Sequence, residues 1–189
     1  MRLLQTIAGA RHGGAEMFFE RLAIALQRAD IEQRLVIRRE PERAARMCAA
    51  GIEVLEMPFG GMLDFRTRPG LRRAIKDFKP QVVLSWMNRA TKFTPRGDFV
   101  HAARLGGYYD LKYYKACDHL IGNTRGIVDY IRNSGWPAER AHYLPNFVSV
   151  THAAPVSRAS LATPDDVPLA LALGRLHPNK GFDVLIEAI

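Results

Sequence analysis

The sequence is poor in cysteine, because its 189 residues contain only Cys48 and Cys117. The two lie far apart and match no metal-ligand or redox spacing, so we expect a reduced, cytosolic protein. A single disulfide between them is the alternative. No run of about eighteen apolar residues occurs, which argues against a membrane-spanning helix. Arg11 and His12 interrupt the short apolar start, so a secretory signal peptide is not expected.

Acidic residues are also scarce, with 19 Asp and Glu against 27 Lys and Arg and a net charge of +8. This excess favours an anionic partner, which leaves nucleic acid, an acidic lipid surface or a phosphorylated substrate open. Part of the charge can equally serve to solvate the surface. Basic stretches with interleaved aromatic residues and recognisable nucleic-acid-binding modules are both missing, so nucleic acid is not the expected partner.

Two familiar site signatures are missing. The glycines of the first loop fall at Gly9, Gly13 and Gly14, which does not match the Gly-x-Gly-x-x-Gly fingerprint of dinucleotide-binding proteins. The second predicted strand is followed by Arg38 and Arg39 rather than by the acidic residue that binds a ribose. No Gly-x-Ser-x-Gly sequence marks a nucleophilic serine.

Apolar strands alternate with amphipathic helices along most of the chain. Helical spacing and short apolar runs bounded by glycine or proline predict the order of elements. The predicted strands are 2–8, 34–37, 52–57, 81–86, 99–103, 119–122 and 141–145. The predicted helices start near residues 15, 42, 71 and 124, and Thr124 is predicted to cap the last of these. This alternation predicts an α/β fold with a doubly wound, Rossmann-like parallel sheet.

The composition changes after the last of these strands. Small and turn-forming residues dominate 146–168, so we predict a first domain at 1–148, a linker at 149–167 and the truncated start of a second domain at 168–189. An apolar strand at Leu169–Leu173 would then run into a loop with Arg175 and Lys180, and a helix would follow. Free backbone N–H groups at such a turn favour an anionic phosphate.

The first loop has the same strand–loop–helix arrangement. Gly13 and Gly14 would let the backbone come close to a ligand, since they carry no β-carbon; a simple tight turn is the alternative. Glu16, in the first turn of the following helix, is assigned a role only in complementing the helix dipole.

Three motifs in this order resemble the family 4 glycosyltransferases. They are Gly13-Gly14-Ala15-Glu16, Pro145-Asn146-Phe147-Val148, and the segment 174–183, Gly-Arg-Leu-His-Pro-Asn-Lys-Gly-Phe-Asp. The segments 104–109 and 117–124 resemble bacterial members that build lipopolysaccharide or surface polysaccharide. The resemblance implies a GT-B architecture of two Rossmann-like domains, of which this chain would hold the acceptor-side half. It also implies sugar transfer from a nucleotide-diphosphate donor with retention of configuration, without a bound metal or other cofactor.

The resemblance also implies site residues. The backbone at Gly13 and Gly14 would approach the donor, and Asn146 would belong to the same donor- or substrate-binding set. Arg175 and Lys180 would neutralise the departing diphosphate; a solvated basic turn is the alternative for this pair. Arg104 is preferred over His101 as the residue that contacts the transferred sugar, with a surface salt bridge as its alternative.

A basic patch lies on and before the third predicted helix, at Arg66, Arg68, Arg72, Arg73, Lys76 and Lys79. Such a helix can rest on an anionic membrane or simply pack on the sheet, and both can hold together. The segment 86–89, at the end of an apolar strand, is predicted to line the cleft for a saccharide or lipid-linked acceptor.

We therefore expect a glycosyltransferase of the cytoplasm, peripheral on the inner face of the cytoplasmic membrane, whose 189-residue chain is inactive alone. The alternative is a non-catalytic Rossmann-like module that binds an anionic membrane or a partner.

Overall fold

The structure is a computed structural model that describes residues 1–61, 63–148, 153–164, 166–174 and 176–189. The chain divides into two compact units, Met1–Val148 and Ser149–Ile189. The first unit holds the sheet together with all the loops that follow its strands, and it is described first.

The first unit is built on a parallel sheet of seven strands in the spatial order β3-β2-β1-β4-β5-β6-β7. Its inner strand β1 is buried from Leu3 to Ile7, as expected of a strand covered on both faces. The strands are β1 Arg2–Ile7, β2 Glu32–Arg38, β3 Glu53–Met57, β4 Val82–Trp86, β5 Val100–Leu105, β6 His119–Gly122 and β7 Ala141–Tyr143. The predicted doubly wound α/β fold is confirmed.

Helices cover both faces of this sheet. They are α1 Gly14–Arg28, α2 Pro41–Ala49, α3 Thr67–Phe78, α4 Met87–Phe93 and α5 Arg125–Asn133. The predicted cap of α5 is confirmed, because the Thr124 hydroxyl accepts a hydrogen bond from the Ile127 N–H at 3.2 Å. Within the described residues, no helix is long and apolar enough to cross a membrane.

Neighbouring residues of β1 point into two different cores. Leu3 belongs to the cluster that contains Phe19 of α1 and Met47 of α2. Leu4 belongs to the cluster on the other face, which contains Leu71 and Phe78 of α3. Because successive strand side chains alternate between faces, one apolar strand supplies both layers of helices with packing partners.

The two edges of the sheet are short and polar. On β3, the Glu53 carboxylate pairs with Arg34 at 2.7 Å, and Glu56 accepts a hydrogen bond from the Glu40 N–H. At the opposite edge, β7 is three residues long, and His142 and Tyr143 are exposed.

Helix α4 was not predicted from the sequence. It follows β4 without a connecting loop, and Met87 absorbs the change of direction with a φ of 61°. The third predicted helix also begins earlier than its apolar spacing indicates. Asp64 accepts hydrogen bonds from the Arg66 and Thr67 N–H groups, which supports a start at Thr67.

The second unit contains a short helix and two 3₁₀ turns among its described residues. The helix α6 spans Phe182–Glu187 and begins after Gly181, whose φ of 62° lies in the left-handed region. The prediction of a strand at Leu169–Leu173 is wrong, because this segment pairs with no strand. A strand needs neighbours to satisfy its backbone groups, and every described strand belongs to the sheet of the first unit.

A buried histidine lies in the first half of β5. His101 is 3% exposed, its Nε2 atom lies 2.9 Å from the Ser85 hydroxyl, and Ser85 also bonds to Thr91. Burial lowers the pKa of His101 from 6.5 to about 4. The imidazole is therefore neutral in the folded protein at neutral pH.

This shift predicts that the protein is less stable in acid. Between pH 6.5 and about 4 the unfolded chain binds a proton at His101 that the folded chain refuses. The free energy of unfolding should fall by up to about 3 kcal/mol across this window and should not depend on His101 above it. Urea unfolding at a series of pH values measures this fall, and His101→Gln should flatten it. The exposed His12 provides the control: if His12→Gln flattens the curve equally, His101 is not the cause.

Candidate active site

The sheet places one site at its carboxyl edge. Strands β1 and β4 are neighbours, yet the chain continues from β1 to one side and from β4 to the other. The connections after adjacent strands diverge at such a point and leave a crevice, which is where open α/β sheets bind ligands. Residues 8–13, which we call the glycine-bearing loop, follow β1 at this position. Trp86, the last residue of β4, pairs with Ile7, the last residue of β1.

Two glycines of this loop make room for the carboxylate of Glu16. Glu16 is 7% exposed, and its Oε1 atom accepts a hydrogen bond from the Ala10 N–H at 2.8 Å. A β-carbon at Gly13 would lie 2.1 Å from Glu16 Oε2, and one at Gly9 would lie 2.6 Å from Glu16 Cγ. Glu16 lies in the first turn of α1, where it complements the helix dipole as expected, and its carboxylate also forms a hydrogen bond with the loop, which the sequence did not reveal.

Gly14 differs from Gly13. It is exposed at the first position of α1, and a β-carbon there would meet no atom within 4 Å. No described residue therefore requires a glycine at this position. The open space beside Gly14 is therefore available to a ligand that approaches the start of the helix.

Arg104 and Asn146, both predicted site residues, are in direct contact. The Arg104 Nη2 atom donates to Asn146 Oδ1 at 2.6 Å and to the Leu144 carbonyl at 3.3 Å. Its guanidinium lies over the rings of Phe18 and Trp86, 4.4 and 4.9 Å from the ring centroids. We call this arrangement the arginine clasp.

The burial of Arg104 excludes a surface salt bridge. The residue is 2% exposed, and it forms no ion pair within the described part of the chain. Burial lowers its pKa to about 10, so the guanidinium stays charged at neutral pH. Its Nε atom has no hydrogen-bond partner among the residues that the structure describes. The carboxyl edge of β5 thus carries a buried positive charge without a carboxylate partner.

The chain that leaves β7 is held against the same site. The ring of Phe147 packs edge-on against Phe18, with 5.0 Å between the centroids. Together with the bonds from Arg104 to Leu144 and Asn146, this contact fixes the segment to α1 and β5. His101, the alternative to Arg104, lies in the buried first half of β5, away from the carboxyl edge.

The segment predicted to line an acceptor cleft lies at the end of β4 and the start of α4. Asn88 and Arg89 line a cavity of about 650 Å³ together with Gly60 and Gly61. Asn88 is oriented by Tyr114, whose hydroxyl donates a hydrogen bond to the Asn88 side-chain oxygen. The cavity is open at the carboxyl edge of the sheet, where Gly60 and Gly61 follow β3 and Asn88 and Arg89 follow β4.

The basic turn that carries Arg175 and Lys180 is described only in part. Lys180 is exposed at the end of a 3₁₀ turn, and its backbone N–H donates to the His177 carbonyl at 2.8 Å. Arg175 lies outside the described residues. Among the described residues, no group of three His, Cys, Asp or Glu side chains is placed to hold a metal ion.

Comparison with known proteins relates the chain to enzymes of lipopolysaccharide synthesis. The sequence profile of Glycosyltransferase Family 4 matches residues 12–152. The lipopolysaccharide core biosynthesis glycosyltransferase LpsE of Rhizobium meliloti (strain 1021) is 34% identical over 188 residues, which are 95% of this chain and 53% of LpsE. The chain thus spans about half the length of this relative.

Solved structures show the same fold. The lipopolysaccharide outer core galactosyltransferase WaaB superposes with a TM-score of 0.57 at 17% identity, over 80% of this chain and 47% of WaaB. HepE of Anabaena, in complex with UDP-glucose, superposes with a TM-score of 0.58 at 13% identity, over 77% of this chain and 44% of HepE. Both likenesses cover less than half of the solved chains.

Proposed function

Because the chain belongs to Glycosyltransferase Family 4, we propose that the protein transfers a sugar from a nucleotide-diphosphate donor to a cell-envelope acceptor. The acceptor is a lipopolysaccharide or polysaccharide, and the reaction retains the configuration at the anomeric carbon. The similarity to LpsE over 95% of this chain carries the proposal. The UDP-glucose complex of HepE supports a nucleotide sugar as the donor.

In this proposal the first unit forms the acceptor side of the active site. The open space at Gly14 lets the donor diphosphate or the transferred sugar approach the backbone N–H groups at the start of α1. The arginine clasp places a buried positive charge beside Asn146 at the same edge. Departure of the nucleotide puts negative charge on the leaving phosphate, which Arg175 and Lys180 would neutralise without a metal or other cofactor.

A second candidate is a non-catalytic module that binds an anionic membrane or a partner. The basic patch on α3 supports it, because Arg66, Arg72, Arg73, Lys76 and Lys79 are exposed in the folded protein. Each Lys or Arg near acidic lipid contributes about 1 kcal/mol to binding. The same patch also allows the glycosyltransferase to work at the inner face of the cytoplasmic membrane, so the two candidates differ in catalysis rather than in location.

A transfer assay separates the two candidates. We expect the full translation product of the gene to transfer a labelled sugar from nucleotide-sugar donors, tested as a panel, to a lipid extract of the cell envelope. Lys180→Ala should lower kcat by about 10²-fold or more, because it removes charge stabilisation at the leaving group. We expect no turnover from residues 1–189 alone.

The control for this assay is Arg28→Gln, at an exposed residue in the last turn of α1 and outside the basic patch. This variant should keep the wild-type rate. If no donor of the panel supports transfer while the protein still binds anionic vesicles, the binding module is the better description. Transfer that Lys180→Ala leaves unchanged would contradict the assigned role of the basic turn.

A further inference from the structure

A cationic groove runs along the face of the first unit between α3, α4 and the 3₁₀ turn Leu111–Tyr114. Its central cavity has a volume of about 620 Å³. No carboxylate lines this cavity among the residues that the structure describes. Six cationic side chains do: Arg68, Arg72, Lys92, Arg96, Lys112 and Lys115.

Most of these cations form no ion pair with the residues that the structure describes. Lys112 pairs with Asp110 at 2.6 Å, and Arg68 is held by the Lys92 carbonyl and by the Phe93 ring. The other four cations form no ion pair with any described residue. Like charges brought together in a concave surface repel one another and focus a positive potential, which an anionic ligand relieves.

The groove connects to the candidate active site. Its central cavity shares Arg68, Lys92 and Tyr113 with the cavity of about 650 Å³ that Asn88 and Arg89 line at the carboxyl edge. A ligand bound along the groove would therefore have one end near the crevice between β1 and β4. This continuity favours a substrate over an unrelated ligand.

The shape of the groove favours a saccharide over a lipid surface. Tyr113 contributes an aromatic ring to the wall of the groove, and Phe93 contributes one to the adjoining cavity, so that the apolar face of a sugar can pack against them. The planar guanidinium of Arg matches phosphate and carboxylate oxygens. A bilayer presents a broad surface and would first meet the outward-facing cations of α3, such as Arg73 and Lys76, which do not line the groove.

From this geometry we propose that the groove binds an oligosaccharide that carries several phosphate or carboxylate groups. This inference rests on the proposed function, since the oligosaccharide is the acceptor of the transfer. The anionic groups hold the acceptor along the groove, and its free sugar end reaches the carboxyl edge of the sheet.

Binding can be measured without catalysis. The probes are a deacylated, phosphorylated lipopolysaccharide core oligosaccharide, the same oligosaccharide after removal of its phosphates, and tetragalacturonate with maltotetraose as its neutral match. We expect calorimetric binding of at least one anionic probe, weaker binding of the core oligosaccharide after removal of its phosphates, and no binding of maltotetraose. The double variant Lys92→Gln, Arg96→Gln should weaken this binding about tenfold at low salt, because two cations are lost.

The matched control is the double variant Arg73→Gln, Lys76→Gln. It also removes two positive charges, but from α3 and outside the groove. This variant should therefore bind the anionic probe like the wild type. Equal weakening by both double variants would overturn the proposal, because net charge alone would then explain binding. Equal affinity for the charged and neutral probes, or no affinity for either anionic probe, would overturn it as well.

Vesicles of phosphatidylcholine with and without phosphatidylglycerol test the lipid source. We expect the groove variant to sediment with anionic vesicles like the wild type. If it loses vesicle binding but keeps oligosaccharide binding, the groove is a lipid site and the proposal fails. An anionic oligosaccharide that binds in the groove of a protein without transferase activity would contradict the proposed function but leave the binding site standing.

Discussion

Replacing Arg104 with Ala is expected to lower the free energy of unfolding by about 2–4 kcal/mol. The side chain packs over the rings of Phe18 and Trp86 and bonds to the segment after β7, so truncation leaves a cavity and an unbonded Asn146. Urea unfolding followed by tryptophan fluorescence measures the loss, because Trp86 is part of the arginine clasp.

A second variant at Arg104 separates the contribution of packing from that of hydrogen bonding, and a variant at Arg72 is the control. Arg104→Met keeps most of the volume and removes a buried charge, so it should cost less than Arg104→Ala. It should still raise amide exchange at residues 144–147, because the bonds to Leu144 and Asn146 are gone. Arg72→Ala, at an exposed arginine, should change stability by less than about 0.5 kcal/mol. If both Arg104 variants have the same free energy of unfolding as the wild type, the arginine clasp does not stabilise the fold.

The second large effect is expected at Gly13. Gly13→Ala should destabilise the protein by about 1–3 kcal/mol, because the new β-carbon would lie 2.1 Å from Glu16 Oε2. The φ of Gly13 is 175°, which alanine also adopts, so the cost comes from the collision and not from the backbone. Glu16, whose side chain is buried, must then move and give up its hydrogen bond with the Ala10 N–H.

The chain supplies its own control for this prediction. Gly14→Ala should be nearly neutral for stability, since a β-carbon there meets nothing. In a Glu16→Ala background, Gly13→Ala should also become nearly neutral, which a double-mutant cycle detects as a coupling energy. A loss at Gly13 that persists without Glu16 would show that another contact imposes the glycine.

The sheet and most helices could be predicted because their signals are local. Apolar runs bounded by glycine and proline mark the buried strands, and Thr124 marks the start of α5 by its own hydroxyl. Helix α4 gave no such signal, since it is short and follows β4 directly through a positive φ at Met87. The prediction of a strand at Leu169–Leu173 was wrong although its local signal is strong. The segment is apolar, but a strand forms only beside a neighbouring strand.

The site could be predicted only in part. Glycines at 13 and 14 mark a close approach in the sequence, yet only the fold shows that Gly13 serves Glu16 and Gly14 faces open space. The contact between Arg104 and Asn146 joins residues 42 positions apart, and no local pattern encodes it. The groove likewise collects cations from α3, α4, the chain after α4 and the 3₁₀ turn, of which the sequence revealed only the run on α3.

The short, polar edges of the sheet bear on how copies of this protein can meet. An exposed strand edge invites another strand to add to it, and proteins suppress this with brief strands and ionic side chains. Here Glu53 and Glu56 occupy one edge, and three residues form the other. We therefore expect a homodimer, if one forms, to join through helix faces, and not to extend the sheet across a two-fold axis.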